Sequence, residues 1–317
     1  MIRVRGLTRC FTGRHGAVDA VRGVDLDVAA GELVGFLGPN GAGKTTTLRM
    51  LTTLLRPTSG EARVAGRDLL GDPDGVRERI GYVAQGGTLA FDYPVREELE
   101  MQGRFYGLDR ARARARCTEL LDELGLDDLR DRPVATLSGG QRRRLDIAMG
   151  LVHSPELLFL DEPTTGLDPT SRASLWQRIR SLRDERGMTV FLSTHYLDEA
   201  DTLCDRLLVI DNGVIVASGS PEELKRSVSG DAVTMTVNGD AATAARTAEN
   251  LGGTSEVAVD GDVVRLRVTR GDEALPVLLN ALRDKDIELA SVTVQRPTLD
   301  DVFLGVTGRS LRAEVAA

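Results

Sequence analysis

Short uninterrupted apolar runs recur along the chain: Leu33-Val34-Gly35-Phe36-Leu37, Leu157-Leu158-Phe159-Leu160, Thr189-Val190-Phe191-Leu192-Ser193 and Leu207-Leu208-Val209-Ile210. Continuous rather than alternating hydrophobicity predicts strands of a largely parallel sheet, buried on both faces. Residues 2–28 instead alternate apolar and polar positions, as half-exposed antiparallel strands do. From about 87 to 135 the period lengthens to that of helices, with turn signals at Gly107 and Gly125. Asp211-Asn212-Gly213, followed by Val214-Ile215-Val216, predicts a hairpin with an Asn-Gly turn, and a short helix follows Pro221.

From about 228 the texture changes. It predicts a strand at 232–237, a helix at 241–251, a strand at 256–259, a turn at Asp260-Gly261-Asp262, a strand at 263–268, a helix at 273–283 and a strand at 289–294. Two βαβ-like halves in that order predict a small ferredoxin-like α/β sandwich.

The chemistry sits at the ends of the apolar runs. Directly after the first comes Gly38-Pro39-Asn40-Gly41-Ala42-Gly43-Lys44-Thr45, then Thr46-Thr47-Leu48-Arg49-Met50-Leu51 with helical character. Strand, glycine-rich loop and helix in that order are the setting a phosphate-binding loop needs. Its glycines let backbone N–H groups face an anion, and the helix N-terminus adds partial positive charge. Lys44 is placed to reach β- and γ-phosphates and the Thr45 hydroxyl to hold Mg²⁺, so the loop implies a nucleoside triphosphate ligand.

The run at 157–160 ends in Asp161-Glu162, two carboxylates at the carboxyl edge of a sheet, where open α/β folds bind ligands. Asp161 is placed to hold the Mg²⁺ shell, and Glu162 to orient or deprotonate a water attacking the γ-phosphate. Between the two sites, Leu137-Ser138-Gly139-Gly140-Gln141 precedes a helical segment beginning Arg142-Arg143-Arg144, which puts Ser138 and the glycines at a helix N-terminus, a second anion site.

In this order, these segments resemble the ATP-binding-cassette (ABC) ATPases over about the first 220 residues, with Leu137–Gln141 matching the family signature. The resemblance implies an α/β P-loop NTPase cassette: a mixed core sheet, an antiparallel β subdomain and a helical subdomain at about 87–150. Residues 1–222 form the nucleotide-binding domain, and 228–317 an accessory or regulatory C-terminal domain. Phe11 falls where the family stacks an aromatic on adenine. Gln85, behind Ile80-Gly81-Tyr82-Val83-Ala84, matches the glutamine that senses Mg²⁺ and the attacking water. Gly166-Leu167-Asp168 matches the loop that crosses the dimer interface, and His195 the histidine that contacts the γ-phosphate. The implied catalytic groups are Glu162, His195 and Gln85. Gly38 to Thr46, Phe11, Ser138 to Gln141 and Asp168 are the implied nucleotide contacts, and Thr45, Gln85 and Asp161 the Mg²⁺ contacts. Because one chain carries one phosphate loop and one signature, the resemblance also implies a homodimer that sandwiches two ATP head-to-tail.

Composition narrows the partners. The formal charge is -8 and the pI about 5.1, which points away from nucleic acid. Cys10, Cys117 and Cys204 are far apart, as expected of reduced thiols in a cytoplasmic protein. No leader and no apolar stretch of the roughly 18 residues needed for a spanning helix is visible, so transport requires a pore from another polypeptide. Arg110, Arg112, Arg114 and Arg116, and likewise Arg142 to Arg144, read as solvated helix faces.

The tail Arg296-Pro297-Thr298-Leu299-Asp300-Asp301-Val302-Phe303-Leu304, running on to Arg309, is similar to the C-terminal motif of daunorubicin/doxorubicin-resistance-type ABC ATPases. Those pair with separately encoded permeases of the ABC-2 class. Gln141 stands where members of that subgroup often carry Met. The expected function is the ATP-hydrolysing subunit of a drug or natural-product exporter, peripheral on the inner face of the cell membrane. The alternatives are ABC-2 export of lipid, polysaccharide, peptide or ion cargo, or a soluble mechanical ABC ATPase acting on ribosome or DNA.

Overall fold

The computed structural model describes residues 1–13, 16–86, 92–228 and 230–308. The expected start of the helical block at 87–91, and Arg309 of the tail motif, lie outside them. The chain separates into two compact units, Met1–Ser220 and a second beginning at Pro221.

The first unit runs β1 (Ile2–Gly13), β2 (Gly16–Val28), β3 (Leu33–Leu37), α1 (Lys44–Leu51), β4 (Ser59–Val64), β5 (Arg67–Asp68), α2 (Pro73–Arg77) and β6 (Ile80–Val83). It continues through α3 (Val95–Phe105), α4 (Arg110–Glu123), two single 3₁₀ turns, α5 (Gly139–Leu151), β7 (Leu157–Asp161), α6 (Pro169–Arg186), β8 (Thr189–Thr194), α7 (Leu197–Leu203), β9 (Arg206–Asp211) and β10 (Val214–Gly219). β3, β7, β8 and β9 are the uninterrupted apolar runs. They lie in a six-stranded sheet of order β10-β9-β3-β8-β7-β6, parallel except for the antiparallel β10–β9 pair. The alternating N-terminal segment forms a four-stranded antiparallel sheet, β2-β1-β4-β5. Both sheets share one core with α1, in which Phe36, Phe159 and Phe191 pack with ring centroids 5.6 and 5.7 Å apart.

The arrangement brings the carboxyl ends of β3, β7 and β8 side by side, Leu37 beside Thr194 and Asp161 beside Ser193. The β9–β10 hairpin turns at Asn212 and Gly213, both with positive φ as a two-residue Asn-Gly turn requires. Its tip supports the phosphate loop, Gly213 N donating to Ala42 O at 3.0 Å.

The second unit runs α8 (Pro221–Ser227), β11 (Asp231–Asn238), α9 (Ala241–Glu249), β12 (Thr254–Asp260), β13 (Val263–Val268), α10 (Gly271–Arg283), β14 (Glu288–Gln295) and α11 (Leu299–Thr307). Its sheet has the order β12-β13-β11-β14, every neighbouring pair antiparallel, which is the ferredoxin-like arrangement of two interleaved βαβ units. Val233, Met235, Val264 and Leu266 face the helices and bury with Ala244, Ala248 and Leu278. α11, in the tail motif, is capped by Thr298 and Asp301 in a reciprocal box. Among the described residues no helix is long and apolar enough to cross a membrane.

Candidate nucleotide site

The loop between β3 and α1 wraps a cavity of about 360 Å³ lined by Pro39, Asn40, Gly41, Gly43, Lys44, Thr45, Thr46, Gln85, Glu162 and Ala20. Glycine is required where the loop meets its supports. At Gly38 a Cβ would lie 2.3 Å from Ile210 O, and at Gly43, with φ +102°, 2.5 Å from Ala20 O. Gly43 stands at the N-cap of α1 with no side-chain cap, so the first-turn amides of that helix are left to an anion. Ala42, within the loop, is buried.

Lys44 is almost wholly buried, its Nζ donating to Gly38 O (2.7 Å) and Pro39 O (3.0 Å) and lying 3.3 Å from Glu162 Oε1. On the other carboxylate oxygen of Glu162, Gln85 Nε2 donates at 2.9 Å, Thr165 Oγ1 at 3.2 Å, and His195 Nδ1 lies at 3.2 Å. Three segments far apart in sequence therefore converge on one carboxylate. Burial opposes ionisation of Glu162, but the adjacent His195 imidazole and the Lys44 charge outweigh it and hold the carboxyl down at about 2. Burial likewise lowers the Lys44 pKa, with Glu162 opposing.

The backbone of Glu162 is in the left-handed region, φ +45°. Its amide is tied to Ser193, donating to O at 3.2 Å and Oγ at 3.1 Å. A non-glycine residue at positive φ at such a site is a strained position that its surroundings enforce. Ser193 Oγ also donates to Asp161 Oδ1 at 2.6 Å, and Thr45 Oγ1 donates to the same oxygen at 3.1 Å. Thr45 and Asp161 thus present hard oxygen atoms together, the donor chemistry Mg²⁺ takes.

Phe11, Ser138, Gly139, Gly140, Gln141 and Asp168 are not among the residues lining this cavity. Phe11 is part-exposed on β1, with the Arg9 guanidinium 4.6 Å above its ring. Ser138 caps α5: Gln141 N donates to Ser138 Oγ, and Ser138 N to Gln141 Oε1, a reciprocal box at a helix start. Asp168 caps α6 by accepting from Ser171 N at 2.9 Å and Ser171 Oγ at 2.6 Å. The two turns are neighbours, since a Cβ on Gly140 would sit 2.8 Å from Ser171 Oγ.

Sequence reading misplaced Arg116, Arg143 and the half-buried Arg144, whose Nη1 donates to Leu124 O at 3.2 Å and Gly125 O at 3.3 Å, and overlooked Ser193. Arg143, expected on a solvated face, is buried and donates to Ala84 O, Pro163 O and Asp161 O. It shares a helical stripe with Ile147 and Leu151, both wholly buried, and that i, i+4, i+8 spacing was the legible signal. Arg116 likewise turns inward between Ala113 and Leu120 and donates to Leu151 O at 2.9 Å, while Arg110, Arg112 and Arg114 are exposed as expected. Ser193, inside an apolar run, carried no signal of its own.

Comparison with known proteins is consistent along the chain. The family model described as ABC transporter matches residues 21–165, and that described as ATP-binding protein DrrA1-3-like, C-terminal domain, matches residues 219–307. The chain is 45% identical over 312 residues to the daunorubicin resistance ATP-binding protein DrrA3 of Streptomyces coeruleorubidus, covering 96% of each. It is 40% identical to the Nod factor export ATP-binding protein I of Ralstonia nicotianae, covering 98% of this chain and 95% of that one. Among solved structures, the dimeric post-hydrolysis form of the ATP-binding cassette MJ0796, bound to ADP and Pi, superposes with a TM-score of 0.64 at 26% identity, covering 69% of this chain and 98% of that one.

Proposed function

The chain belongs to the ATP-binding subunits of ABC transporters of the daunorubicin/doxorubicin-resistance type, and on that footing we propose that it hydrolyses ATP as a head-to-tail homodimer driving a separate ABC-2-type permease. The observation that carries the reading is the convergence of Lys44, Gln85 and His195 on Glu162 beside the phosphate-loop cavity.

In this reading the loop amides and Lys44 hold the β- and γ-phosphates, and Phe11 stacks on the adenine. Thr45 and Asp161, with Gln85, would hold Mg²⁺, which supplies charge neutralisation on the phosphate oxygens when bound. Glu162 orients the attacking water and His195 donates toward the γ-phosphate. Little covalent chemistry falls to the protein, and positioning and electrostatics carry the transfer. The signature turn Ser138-Gly139-Gly140 lies outside the cavity because it serves the nucleotide of a second copy, as does Asp168 across the interface. Residues 1–222 act as the nucleotide-binding domain and 228–317 as an accessory domain in dimer contact or regulation. The assembly sits peripherally on the cytoplasmic face beneath its permease, with amphipathic drugs or natural products as cargo. The relatives named for Nod factor export support a second cargo reading within the same exporter class.

The test is affinity isolation of the Glu162→Gln chain with ATP from detergent-solubilised membranes of its own cells. A stoichiometric polytopic membrane protein is expected. Recovery of ribosomal or DNA-bound proteins without a permease would overturn the exporter assignment.

A further inference from the structure

Arg143 occupies the second turn of α5, the helix whose N-terminal turn is Ser138-Gly139-Gly140. Its guanidinium is buried and spends its donors on three backbone carbonyls: Nε to Pro163 O at 2.8 Å, Nη2 to Asp161 O at 2.9 Å and Nη1 to Ala84 O at 2.5 Å. Asp161 and Pro163 flank Glu162 on both sides, and Ala84 immediately precedes Gln85. The one side chain therefore pins the backbones carrying Glu162 and Gln85, the pair whose side chains meet at 2.9 Å. Asp146, one turn further along α5, faces the same guanidinium at 3.9 Å.

A planar fork with five donors in fixed geometry can hold three carbonyls at once, and a lysine in its place cannot. In a packed interior such a linkage transmits displacement, because its arrangements are discrete rather than continuously deformable. We propose that Arg143 is a positioning residue that couples the two half-sites of the chain. It makes the placement of the signature turn against a second copy's nucleotide depend on what Gln85 and Glu162 meet in their own phosphate loop. This rests on the head-to-tail dimer reading above and adds to it the internal connection through which each nucleotide reports to the other.

The experiment uses the full-length chain in the Glu162→Gln background, whose backbone carbonyls at 161 and 163 are unchanged. Arg143→Gln and Arg143→Lys are each compared with that parent. Three quantities are read: ATP affinity at protein concentrations too low for association, the dimer dissociation constant with saturating ATP by sedimentation, and the melting temperature. The Hill coefficient for ATP hydrolysis is measured with Arg143→Lys in the otherwise wild-type chain. The expected result is ATP affinity kept within about threefold while ATP-dependent dimerisation weakens roughly 5- to 150-fold, the range of a typical coupling free energy, with hydrolysis losing its cooperativity. Arg143→Lys, which keeps charge and approximate size, carries the same test if Arg143→Gln does not fold. Variants that dimerise like the parent, with an Arg143→Lys chain that hydrolyses ATP as cooperatively as wild type, would overturn the inference alone. So would an equal loss of ATP affinity and dimerisation, which would make Arg143 a support of the phosphate loop only. A parent that fails to dimerise with ATP would overturn the sandwich reading, and the coupling with it.

Discussion

The Lys44 ammonium lies 3.3 Å from the Glu162 carboxylate, with 3% and 6% of their side-chain surfaces exposed. Removing one member of a buried pair strands the other charge, at a cost of about 3–5 kcal/mol. His195 and Gln85 remain on Glu162, so Lys44→Ala is expected near the lower end, about 3 kcal/mol by the same rule. The substitution should also abolish ATP binding. Calorimetric titration and denaturant unfolding check the two effects, and ATP binding at wild-type affinity would remove Lys44 from its phosphate role.

Glu162→Gln removes the charge and keeps the shape. ATP affinity should hold within a few-fold, while turnover falls by about 10²- to 10⁴-fold, the usual contribution of a positioned acid–base group. Phosphate release in single-turnover and steady-state assays reads this. Turnover at the wild-type rate would end the assignment.

Ser138 has a structural role separable from any contact with a nucleotide. Ser138→Ala breaks the reciprocal cap with Gln141 and should cost about 1 kcal/mol of stability, whereas Ser138→Asn, a good N-cap, should cost much less. If ATP hydrolysis falls equally in both variants while only the alanine variant loses stability, the hydroxyl acts beyond capping. Hydrolysis tracking stability in both would leave it as a cap alone.

Asp146 gives the protein a pH dependence opposite in sign to that of Glu162. Burial pushes its carboxyl up to about 6 from 3.8, with Arg143 and Arg142 opposing less strongly. Below 3.8 the group is protonated whether the chain is folded or not. As pH rises from 3.8 to about 6 the unfolded chain ionises first, and the folded state loses stability that does not return at higher pH. Asp146→Asn is therefore expected to stabilise the protein by roughly 3 kcal/mol near neutral pH and to be nearly neutral well below 3.8. Glu162, held at about 2 against an ordinary 4.5, contributes stability that is present above 4.5 and is lost as pH falls toward 2. Denaturant midpoints across pH for the two single variants separate these contributions.

Trp176, the only tryptophan of the chain, donates Nε1 to the wholly buried Glu199 at 3.1 Å. Burial raises the Glu199 pKa, and this hydrogen bond is among the contacts that oppose the rise. Trp176→Phe leaves that acceptor without its donor and should cost about 1–3 kcal/mol, read by circular dichroism because the fluorescent reporter is gone. Since α6 begins at the Asp168 cap, its stability bears directly on the loop assigned to the dimer interface.

The elements that hold the site were legible wherever local pattern and local structure coincide. The runs at 33–37 and 157–160 gave strands β3 and β7 because a strand buried on both faces must be apolar throughout. The ferredoxin-like unit was legible from element order alone, with boundaries displaced by one to two residues because strand and helix ends depend on pairing and capping that a residue window does not contain. Thr298, rather than the aspartates beside it, caps α11, a choice made by backbone geometry.

Sequence by itself determined the chemistry available at each strand end: a glycine loop with lysine after β3, paired carboxylates after β7 and a histidine after β8. Spacing and residue type are enough for that, because backbone period and phosphate-loop geometry are local. Only the tertiary structure decided that Gln85, Lys44 and His195 share one carboxylate, that Ser193 ties Asp161 to the Glu162 backbone, and that the middle arginine of Arg142-Arg143-Arg144 is buried. Those facts depend on which strands become neighbours and on which carbonyls lose their water. Desolvation, which turns an ordinary arginine into a buried clamp, is a property of the assembled fold.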